Sequence, residues 1–550
     1  MTYLTVPISA KDLNEAQEQI KAAIAAGAEM LEFRLDYLEG LSVEAARKLI
    51  GDYKDTKLKQ LPVIVTCRDA RQGGMINYPV KLRIEVLTAA MLAGANCIDF
   101  EYDNFLITDR QEKIRLALSR NSKARLILSA HNFETRFSDI GKLYRAISLI
   151  CPGTIPKLVY TANHINDCFD AFDLLHKTSG ERIVFCMGNA GIISRILAKK
   201  LGSFVTFACT DKEQATAPGQ IHIDDLKKLY RYDYIQPDTE LFGVIADPVA
   251  HSLSPAIHNA CFADMNMNRL YLPLLVKGQK QQFESFMNGI ILRKWLNFHG
   301  FSVTIPHKQN ALDYAKAHEG FIEPLVNKIG AVNTLIIRMD GKVKAYNTDY
   351  TGAMDAITNE LKFTKSDFKE LPVAVIGAGG VSRAIVAGLS DAGAKIKIYN
   401  RTVEKAKQLA LEFNCEYASL DELSGMDAKL LVNCTSIGMF TQAKNKNDFN
   451  AVQSQKETWE EITQVENEHS NVEQSPVPKE YLKSTIAVFD TVYNPAETVL
   501  LKDAKAKRAK RIDGVSMFVN QAAAQFKLFT GMDADPKLMR KTIIDCLKNE

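Results

Sequence analysis

The sequence predicts an α/β protein made of two consecutive modules, a closed barrel followed by a unit with open sheets. Three observations predict this class. Short β-branched apolar runs alternate with helical patterns of 3.6-residue period along most of the chain. The first half carries eight such repeats, and the second half carries a glycine-rich turn between a strand and a helix at residues 373–384, VAVIGAGGVSRA. The 550 residues also exceed what one hydrophobic core serves, so roughly two to four domains are expected.

Composition limits what the protein can do. Hydrophobic residues make up 46% of the chain and the formal net charge is only +3, which argues against nucleic acid as a partner. The 10 cysteines are scattered and none has C-x-x-C spacing, so neither a metal site nor a disulfide framework is expected. The first residues lack a signal-peptide pattern, and no segment has the length of a membrane span. These features predict a cytoplasmic protein, and they leave its oligomeric state open.

Residues 1–236 predict the barrel. Eight strands are expected, at residues 4–8, 30–35, 62–67, 97–102, 125–130, 155–161, 183–187 and 204–209. Helical patterns lie between them at residues 12–26, 78–93, 109–119, 137–150, 163–178 and 192–201. Eight strand–helix units in a segment of this length fit a TIM (β/α)8 barrel, and a doubly wound open sheet is the alternative.

Chemistry at the strand ends favours the barrel, because barrel enzymes build their sites at the C-terminal rim from several strands. Polar residues stand at or near these ends throughout the module: Glu32, Arg34, Asp36, Arg68, Glu101, His131, Arg195 and Gln220. Any one of them could form a structural ion pair, but so many at one rim indicate a site.

Lys157 is the most informative residue of this module. It lies inside an apolar strand, in phase with Ile155 and Val159, so its amine is expected to face the barrel interior. Removal from water favours the neutral amine, which attacks carbonyl carbons. The alternative is a lysine whose ammonium reaches the rim and stays in solvent.

Six segments of this module carry a family resemblance: EFRLDY (32–37), TCRDARQGG (66–74), SAHNF (129–133), IPKLVY (155–160), MGNAGIISR (187–195) and TAPGQ (216–220). Together they resemble type I 3-dehydroquinate dehydratase. The resemblance implies that Lys157 forms an iminium with the ketone of the substrate, that His131 shuttles a proton and that Glu32 orients His131. It also implies substrate contacts for Arg34, Arg68, Arg195, Thr216 and Gln220. Gln72 stands where an acidic residue is usual, and Thr216 where serine is usual.

A polar break at residues 236–238 marks the predicted module boundary, and residues 237–362 predict an open α/β lobe. Ser252 and Ser254 stand at the start of a helix, where either could cap the helix, bind a ligand or do both. Lys308 begins another helix, while Asn333 and Asp349 lie in GAVNT and YNTD. A lysine, a carboxylate and an amide that converge would supply proton transfer and hydroxyl recognition for a carbonyl reduction. An exposed lysine without function is the alternative.

Residues 363–513 predict a nucleotide-binding lobe of the Rossmann type. After its first strand the chain turns through Gly377, Ala378, Gly379, Gly380 and Val381. Such a turn lets backbone N–H groups approach a pyrophosphate, although Ser382 breaks the strict glycine pattern and a turn without ligand is the alternative.

The end of the next strand distinguishes the two nicotinamide cofactors. Asn400, Arg401 and Thr402 stand there, with Lys405 one helical turn on, and no carboxylate is present to accept the ribose hydroxyl of NAD. Arg401 and Lys405 could pair with a 2′-phosphate instead. The sequence therefore predicts NADP as the cofactor.

Nine segments of the second module carry a further resemblance: SLSP (252–255), VTIPHK (303–308), GAVNT (330–334), YNTD (346–349), GAGGVSRA (377–384), NRT (400–402), NCTSIGM (433–439), FDTVYNP (489–495) and DGVSMFVNQAA (513–523). They resemble shikimate dehydrogenase. The resemblance implies that Lys308 and Asp349 are the catalytic pair and that Gly514 belongs to the cofactor site. It implies shikimate contacts for Ser252, Ser254, Thr304, Asn333, Tyr493 and Gln521. The helical pattern at residues 516–529, which contains Gln521, is expected to return to the substrate lobe, so that residues 514–550 complete that lobe. Ser302 replaces an asparagine of the family.

Residues 441–472 depart most from this pattern. They are rich in Asn, Gln, Lys and Glu and poor in apolar residues, so they cannot bury enough surface to offset their ordering entropy. A mobile surface insertion is expected.

Taken with both resemblances, the chain is expected to be a bifunctional shikimate-pathway enzyme. The barrel would dehydrate 3-dehydroquinate to 3-dehydroshikimate through a Schiff base, and the second module would reduce that product to shikimate with NADPH. One alternative is a dehydrogenase of relaxed quinate and shikimate specificity, which the hydroxyls of Ser252 and Thr304 argue against. Another is a metabolite sensor without activity, which should have lost its reactive groups, yet the chain keeps Lys157, His131, Lys308 and Asp349.

Overall fold

The computed structural model of the chain describes residues 1–56, 58–121, 123–211, 216–250, 252–440 and 471–548. The insertion predicted at residues 441–472 lies outside these residues, apart from its last two. Contacts divide the chain into two compact units. The first contains Met1–Pro255 and Asn266–Phe298, and the second contains Ala256–Met265 and His299–Glu550.

Eight parallel strands form the sheet of the first unit: β1 (Tyr3–Ile8), β2 (Met30–Arg34), β3 (Val63–Thr66), β4 (Cys97–Glu101), β5 (Arg125–Asn132), β6 (Ile155–Thr161), β7 (Ile183–Met187) and β8 (Val205–Cys209). From β1 to β7 each strand pairs with the next, and β8 pairs with β1. A backbone hydrogen bond of 2.7 Å from the Phe204 N–H to the Arg182 carbonyl joins the chain before β8 to the chain before β7. A short strand, β9 (Ile221–His222), adds to β8. This order, with β1 between β2 and β8, confirms the predicted TIM-type barrel over an open sheet with a reversal in strand order.

The helices of the barrel are α1 (Leu13–Ala25), α2 (Val43–Asp55), α3 (Val80–Leu92), α4 (Tyr102–Phe105), α5 (Thr108–Arg120), α6 (Ile140–Ile150), α7 (Cys168–Lys177) and α8 (Ile192–Ile196). Helix α2 was not among the predicted helices. It buries Ala46, Leu49, Ile50 and Tyr53 on one face, and Ser42 caps its first turn by accepting from the Ala45 N–H. A periodic apolar face and a serine cap are ordinary helix signals, and this segment of the sequence carries both.

The barrel interior is filled by inward-facing side chains of alternate strand residues, among them Met30, Ile64, Cys97, Ile127, Ile155, Val159, Ile183, Phe185 and Phe207. Ile155 and Val159 flank Lys157 on the same face of β6, and the Lys157 side chain is buried. The lysine therefore points into the barrel, as its phase in the strand predicts.

The first unit also holds a segment that follows the barrel in the chain, and we call residues 266–298 the docked segment. It contains β11 (Arg269–Leu275), which pairs in parallel with β10 (Glu240–Ala246), and helix α10 (Lys280–Leu292). Its Arg293 forms two hydrogen bonds, of 2.7 and 2.9 Å, with Asp173 on α7 of the barrel. Trp295 stacks on His176 of the same helix with ring centroids 3.9 Å apart. The outer face of α7 is thus covered by chain that sequence alone assigns to the next lobe.

The second unit begins with helix α9 (Ser254–Asp264), most of which lies in it, and with the strands β12 (Phe298–Val303), β13 (Phe321–Ile322), β14 (Thr334–Ile337) and β15 (Val343–Tyr346). These strands lie in the order β12, β14, β15, β13, with antiparallel pairing except between β13 and β15. The helices here are α11 (Lys308–Ala317), α12 (Pro324–Ile329) and α13 (Thr348–Leu361).

A second sheet of this unit is fully parallel and consists of β16 (Pro372–Ile376), β17 (Lys395–Asn400), β18 (Glu416–Ser419), β19 (Leu430–Asn433), β20 (Ala487–Asp490) and β21 (Lys510–Ile512). Its order, β18-β17-β16-β19-β20-β21, is that of a doubly wound nucleotide-binding fold and confirms the Rossmann prediction. Val373 and Val375 enter one core while Ala374 and Ile376 enter another, because helices cover both faces of the sheet.

The remaining helices are α14 (Gly380–Asp391), α15 (Val403–Phe413), α16 (Val499–Ala506), α17 (Gly514–Thr530) and α18 (Pro536–Lys548). Helix α17 lies against α13 at Gly352, where an added Cβ would come within 2.7 Å of the Met517 carbonyl. This close approach brings Gln521 of α17 to the start of α13. Within the described ranges, no helix has the length and apolar character needed to cross a bilayer.

Candidate active sites

One pocket at the C-terminal ends of the barrel strands collects every residue that the sequence assigns to the first site. Its lining includes Glu32, Arg34, Arg68, His131, Lys157, Arg195, Thr216 and Gln220, together with Gln72, Phe133, Phe185 and Phe207. The strands therefore bring to one place residues that are up to 188 positions apart in the chain, counted from Glu32 to Gln220. Basic groups predominate in it, which favours an anionic ligand.

Lys157 lies at the bottom of this pocket and is only 4% exposed. Its Nζ is 2.7 Å from Asp99 Oδ2 and 3.5 Å from Glu32 Oε1, and it lies 4.8 Å from the centre of the Phe207 ring. A carbonyl carbon that enters the pocket can reach this amine, while bulk water is largely kept away from it.

Asp99 was not identified from the sequence, although it is the centre of the buried charge network. Its Oδ2 also accepts from Arg68 Nη2 at 2.7 Å, and its Oδ1 accepts from Ser129 Oγ at 2.6 Å. Burial by itself would raise the pKa of Asp99, but Arg68 and Lys157 outweigh it and hold that pKa below the usual value. The signal was available, because Asp99 shares the inward face of β4 with Cys97 and Glu101.

His131 contacts Gln72 through its Nδ1, which lies 3.1 Å from Gln72 Oε1. An amide oxygen only accepts hydrogen bonds, so with Gln72 in this orientation the contact requires the proton on Nδ1, and Nε2 is then the basic nitrogen. Burial lowers the pKa of His131 well below 6.5, and the positive charges of Arg68 and Lys157 lower it further. The Glu32 carboxylate instead accepts from Thr66 Oγ1 at 2.8 Å, so the orienting role assigned to Glu32 stays a prediction.

Arg34 and Arg195 differ in the hydrogen-bond partners that the protein provides for them. Arg34 forms two hydrogen bonds with Asp36, of 3.0 and 2.8 Å. Arg195 is 1% exposed, and its Nε and Nη2 have no hydrogen-bond partner among the described residues. Its guanidinium lies 4.5 Å from the centre of the Phe185 ring, and burial lowers its pKa to about 10, so it stays charged at neutral pH. A buried cation with spare donors is the natural partner for a substrate carboxylate.

The last two predicted residues of the barrel site lie on one loop. The Thr216 N–H donates to Gln220 Oε1 at 2.9 Å, which holds the two side chains next to each other at the mouth of the pocket. Hydroxyl and amide groups so placed fit a polyhydroxylated ligand.

The second predicted site is built around Lys308 and Asp349. Lys308 is the first residue of α11 and Asp349 lies in the first turn of α13, with 2.5 Å between Nζ and Oδ2. Both side chains are partly exposed, so a ligand can reach them.

Asn333 fixes Asp349 from the other side. Its Nδ2 donates to Asp349 Oδ1 at 2.9 Å and to Thr348 Oγ1 at 3.0 Å, and Gln521 Nε2 donates to the same Thr348 hydroxyl at 3.1 Å. The predicted residues Lys308, Asp349, Asn333 and Gln521 thus belong to one connected network.

Gln525, one turn after Gln521 on α17, extends this network and was missed in the sequence. It is buried, its Nε2 donates to Thr334 Oγ1 at 2.9 Å and its Oε1 accepts from Ser302 Oγ at 2.8 Å. The serine that replaces a family asparagine at position 302 is therefore held by a hydrogen bond. An amide on the buried face of a helix was the available signal.

The other predicted shikimate contacts are placed as follows. Ser252 and Ser254 lie in the first unit, where Ser252 Oγ accepts from the Ser254 N–H at 3.4 Å. Thr304 directly follows β12 and is half-buried, and Tyr493 stacks on Phe518 with ring centroids 4.9 Å apart. Their contacts with a substrate stay predictions.

The glycine-rich turn has the form of a phosphate cradle. Gly377 has φ +105° and an added Cβ would lie 3.1 Å from Thr435 Cγ2, whereas a Cβ at Gly379 or Gly380 would meet nothing within 4 Å. Open space therefore lies above the N-terminus of the 12-residue helix α14, which favours an anion. Ser382 fits the turn, because its hydroxyl accepts from the Gly379 N–H at 3.3 Å. Ala378 and Val381 pack against the adjoining core.

The region predicted to recognise the adenosine end carries exposed positive charge. Asn400 Nδ2 donates to the Thr402 carbonyl at 2.8 Å, which shapes the turn after β17. Arg401 and Lys405 are exposed and form no ion pair with any described residue, so their charges are available to a 2′-phosphate. Gly514 is required by packing, since an added Cβ would lie 2.2 Å from the Val492 carbonyl, and its cofactor contact stays a prediction.

Comparisons with known proteins cover both modules. The model of the type I 3-dehydroquinase family matches residues 4–237. The models of the shikimate dehydrogenase substrate binding domain, the shikimate / quinate 5-dehydrogenases and the shikimate 5′-dehydrogenase C-terminal domain match residues 244–335, 360–465 and 514–544.

Individual relatives and solved structures are similar over the same regions. A bifunctional 3-dehydroquinate dehydratase/shikimate dehydrogenase of Arabidopsis thaliana, described as chloroplastic, is 33% identical over 98% of this chain and 83% of its own. A shikimate dehydrogenase (NADP(+)) of Methanosarcina barkeri is 36% identical over 56% of this chain and 99% of its own. The crystal structure of shikimate 5-dehydrogenase from Thermus thermophilus with NADP(H) and shikimate is 29% identical, with a TM-score of 0.45 over 56% of this chain and 99% of its own. The chain therefore belongs, on its family matches and its bifunctional relative, to the family of bifunctional 3-dehydroquinate dehydratase/shikimate dehydrogenases.

Proposed function

We propose that the two sites act in succession on one cyclic metabolite. The barrel dehydrates 3-dehydroquinate at Lys157, and the second module reduces the resulting 3-dehydroshikimate to shikimate with NADPH at Lys308 and Asp349. The observation that carries this assignment is a buried amine, Lys157, at the bottom of a pocket that also presents a histidine and a guanidinium with spare donors. The proposed layout is a barrel at residues 1–236, a substrate lobe at 237–362 completed by 514–550, and an NADP-binding lobe at 363–513.

In the barrel, the arrangement supports an iminium mechanism. The Lys157 nitrogen attacks the substrate ketone, water leaves, and the resulting C=N⁺ group acidifies the neighbouring C–H. His131, neutral near pH 7, removes that proton through Nε2 and then delivers it to the departing β-hydroxyl, so that water leaves and the double bond forms. Hydrolysis of the iminium returns the lysine and releases the unsaturated ketone.

Substrate recognition in the barrel rests on charge. The ring carboxylate would fill the place in front of Arg195, whose Nε and Nη2 have no partner among the described residues. Thr216 and Gln220 would contact hydroxyls at the mouth of the pocket, and Arg34 and Arg68, already oriented by buried carboxylates, would complete the polar lining. Glu32 lies next to Lys157 and would receive or return protons there.

In the second module, the chain's residues support proton transfer to a ketone oxygen. When bound, NADPH supplies the hydride. Lys308 would donate a proton to the carbonyl oxygen, and Asp349 would hold the Lys308 ammonium in place, itself fixed by Asn333. Ser252, Ser254, Thr304, Tyr493 and Gln521 are the proposed shikimate contacts.

The residues that would hold NADP fit its chemistry. The open space at Gly379 and Gly380, above the N-terminus of α14, suits the pyrophosphate. The exposed charges of Arg401 and Lys405 suit a 2′-phosphate, next to Asn400 and Thr402. The Arabidopsis relative is described as chloroplastic, and the cytoplasmic location that the sequence favours stays a prediction.

Two measurements test the proposal. Sodium borohydride with 3-dehydroquinate should reduce a covalent adduct onto Lys157, detected by peptide mass spectrometry, and an unmodified Lys157 with turnover intact would refute the iminium step. A coupled assay should show oxidation of NADPH on addition of 3-dehydroquinate alone, and the Lys308→Ala variant should lose the reduction while keeping the dehydration. Oxidation of quinate at a rate comparable to that of shikimate would favour a dehydrogenase of relaxed specificity.

A further inference from the structure

The mechanism above gives no role to Asp99, a fully buried carboxylate that contacts Lys157. Its side chain has no solvent exposure and its Oδ2 is the nearest oxygen to Lys157 Nζ, at 2.7 Å against 3.5 Å for Glu32. Its other oxygen is fixed by the Ser129 hydroxyl at 2.6 Å. Asp99 is therefore held rigidly with one oxygen directed at the reactive nitrogen.

The charge on that nitrogen explains what such a carboxylate can do. An ammonium and a ketone give an iminium and water, so the nitrogen carries one positive charge and at least one N–H before and after the reaction. Atoms and charge balance without a proton from elsewhere. The carbinolamine and the enamine that flank the iminium are neutral at nitrogen. A carboxylate fixed beside the nitrogen thus favours the iminium over both neutral neighbours.

The positive charges of Arg68 and Lys157 keep Asp99 ionised. Arg68 donates to the same Oδ2 at 2.7 Å, while its other nitrogen is shared with Glu101 at 3.2 Å and Ser129. The pKa of Asp99 is held low by Arg68 and Lys157 against the effect of burial. Asp99 therefore does not take the proton of the lysine but stays an anion beside it.

We propose that Asp99 is the counter-ion of the iminium formed on Lys157 and that it sets how much of the covalent adduct is held as the reducible iminium rather than as the neutral carbinolamine. This inference rests on the proposed dehydratase function. It assigns Asp99 an electrostatic part in the reaction through contact with the reacting nitrogen, distinct from the part of Glu32.

The test compares Asp99→Asn with Asp36→Asn in the full-length chain. Both aspartates are fully buried, and each pairs with an arginine of the pocket, but only Asp99 contacts Lys157. With 3-dehydroquinate at saturation, borohydride quenching should trap at least tenfold less Lys157 adduct in Asp99→Asn, and kcat should fall by roughly 100-fold or more with a smaller change in KM. Asp36→Asn frees Arg34, so it should raise KM and leave the trapped fraction at saturation close to wild type.

The outcomes are separable. An absence of adduct in a wild-type chain that still turns over would refute the iminium step of the proposed function. An adduct in the wild type and an equal trapped fraction in Asp99→Asn would overturn the present inference, even if kcat fell. Borohydride reduces only the iminium, and a purely structural role lowers the rate without shifting the balance between iminium and carbinolamine. If Asp99→Asn does not fold, Ser129→Ala keeps the charge but releases Oδ1, and it should lower the trapped fraction several-fold; an unchanged fraction there would overturn the inference as well.

Discussion

Replacement of Arg195 by methionine should make the barrel more stable and nearly inactive. Arg195 is 1% exposed, and its Nε and Nη2 have no hydrogen-bond partner among the described residues. A buried donor without a partner costs free energy in the folded state, and methionine can occupy similar space without bringing donors. The substrate contact that we propose for Arg195 would explain why the protein keeps a buried group with unsatisfied donors.

The size of the effect follows from the contacts. Two unsatisfied donors cost about 1–3 kcal/mol each, whereas the loss of the guanidinium over the Phe185 ring gives back about 0.5–2 kcal/mol. A net gain of about 2 kcal/mol in the free energy of unfolding is expected, which is about 4–8 °C in Tm for a domain of this size. Removal of the guanidinium that we propose for the substrate carboxylate should cost about 2–5 kcal/mol in transition-state binding. The value of kcat/KM for dehydration should therefore fall roughly 30-fold to several thousand-fold.

Calorimetry and steady-state kinetics of the full-length chain measure both effects. Arg83→Met is the matched control, because Arg83 is equally buried but donates to the Cys67 carbonyl, Asp69 and Glu101. That variant leaves buried carboxylates uncompensated and should lose about 3–5 kcal/mol of stability. A lower Tm in Arg195→Met, or an unchanged KM for 3-dehydroquinate, would refute the proposal that Arg195 has unsatisfied donors that bind the substrate carboxylate.

Three further predictions concern other parts of the chain. Gln72→Glu places a carboxylate beside His131 and should raise the pKa of His131 from its depressed value. The acid limb of the kcat/KM profile for dehydration, expected below pH 6.5, should therefore move to higher pH. An acid limb that does not move would argue against the contact between Gln72 and His131. Arg401→Ala should raise KM for NADPH about 10- to 100-fold and leave KM for NADH unchanged, and equal effects on both cofactors would contradict the assigned phosphate contact. Asp173→Asn removes the partner of Arg293 and should lower the thermal inactivation midpoint of the dehydrogenase by about 2–4 °C. The control is Asp170→Asn, on the same helix, which removes only the partner of the exposed Arg136 and should change that midpoint by less than about 1 °C.

Local sequence pattern was enough to predict the position of a functional residue where that position follows from the alternation of side chains along a strand or from the conformation of a turn. The position of Lys157 inside the barrel follows from its alternation with Ile155 and Val159, and the cradle at Gly377 follows from a turn that only glycine adopts easily. Asp99 obeys the same alternation rule on β4, two residues before Glu101, but the rule alone does not say that Asp99 contacts Lys157.

Long-range contacts could not be predicted in this way. Gln525 acquires its meaning from Ser302 and Thr334, which lie 223 and 191 positions earlier in the chain. The contact between Gln72 and His131 joins a loop to a strand end 59 positions away. No local propensity encodes which distant side chains such a residue will meet.

The docked segment shows that the boundary between the two family matches is not the boundary between the two packed units. Family models end one match at residue 237 and begin the next at residue 244, yet residues 266–298 pack with the barrel through Arg293 on Asp173 and Trp295 on His176. Lys200 of the barrel also donates to the carbonyls of Pro237 and Thr239 at 2.7 and 2.8 Å, which clasps the connecting chain. Cleavage of the chain between residues 237 and 244 would therefore separate the barrel from residues 266–298, which pack with it. Each fragment would expose a surface that the full chain covers, which is the face of α7 on the barrel and the facing side of the docked segment.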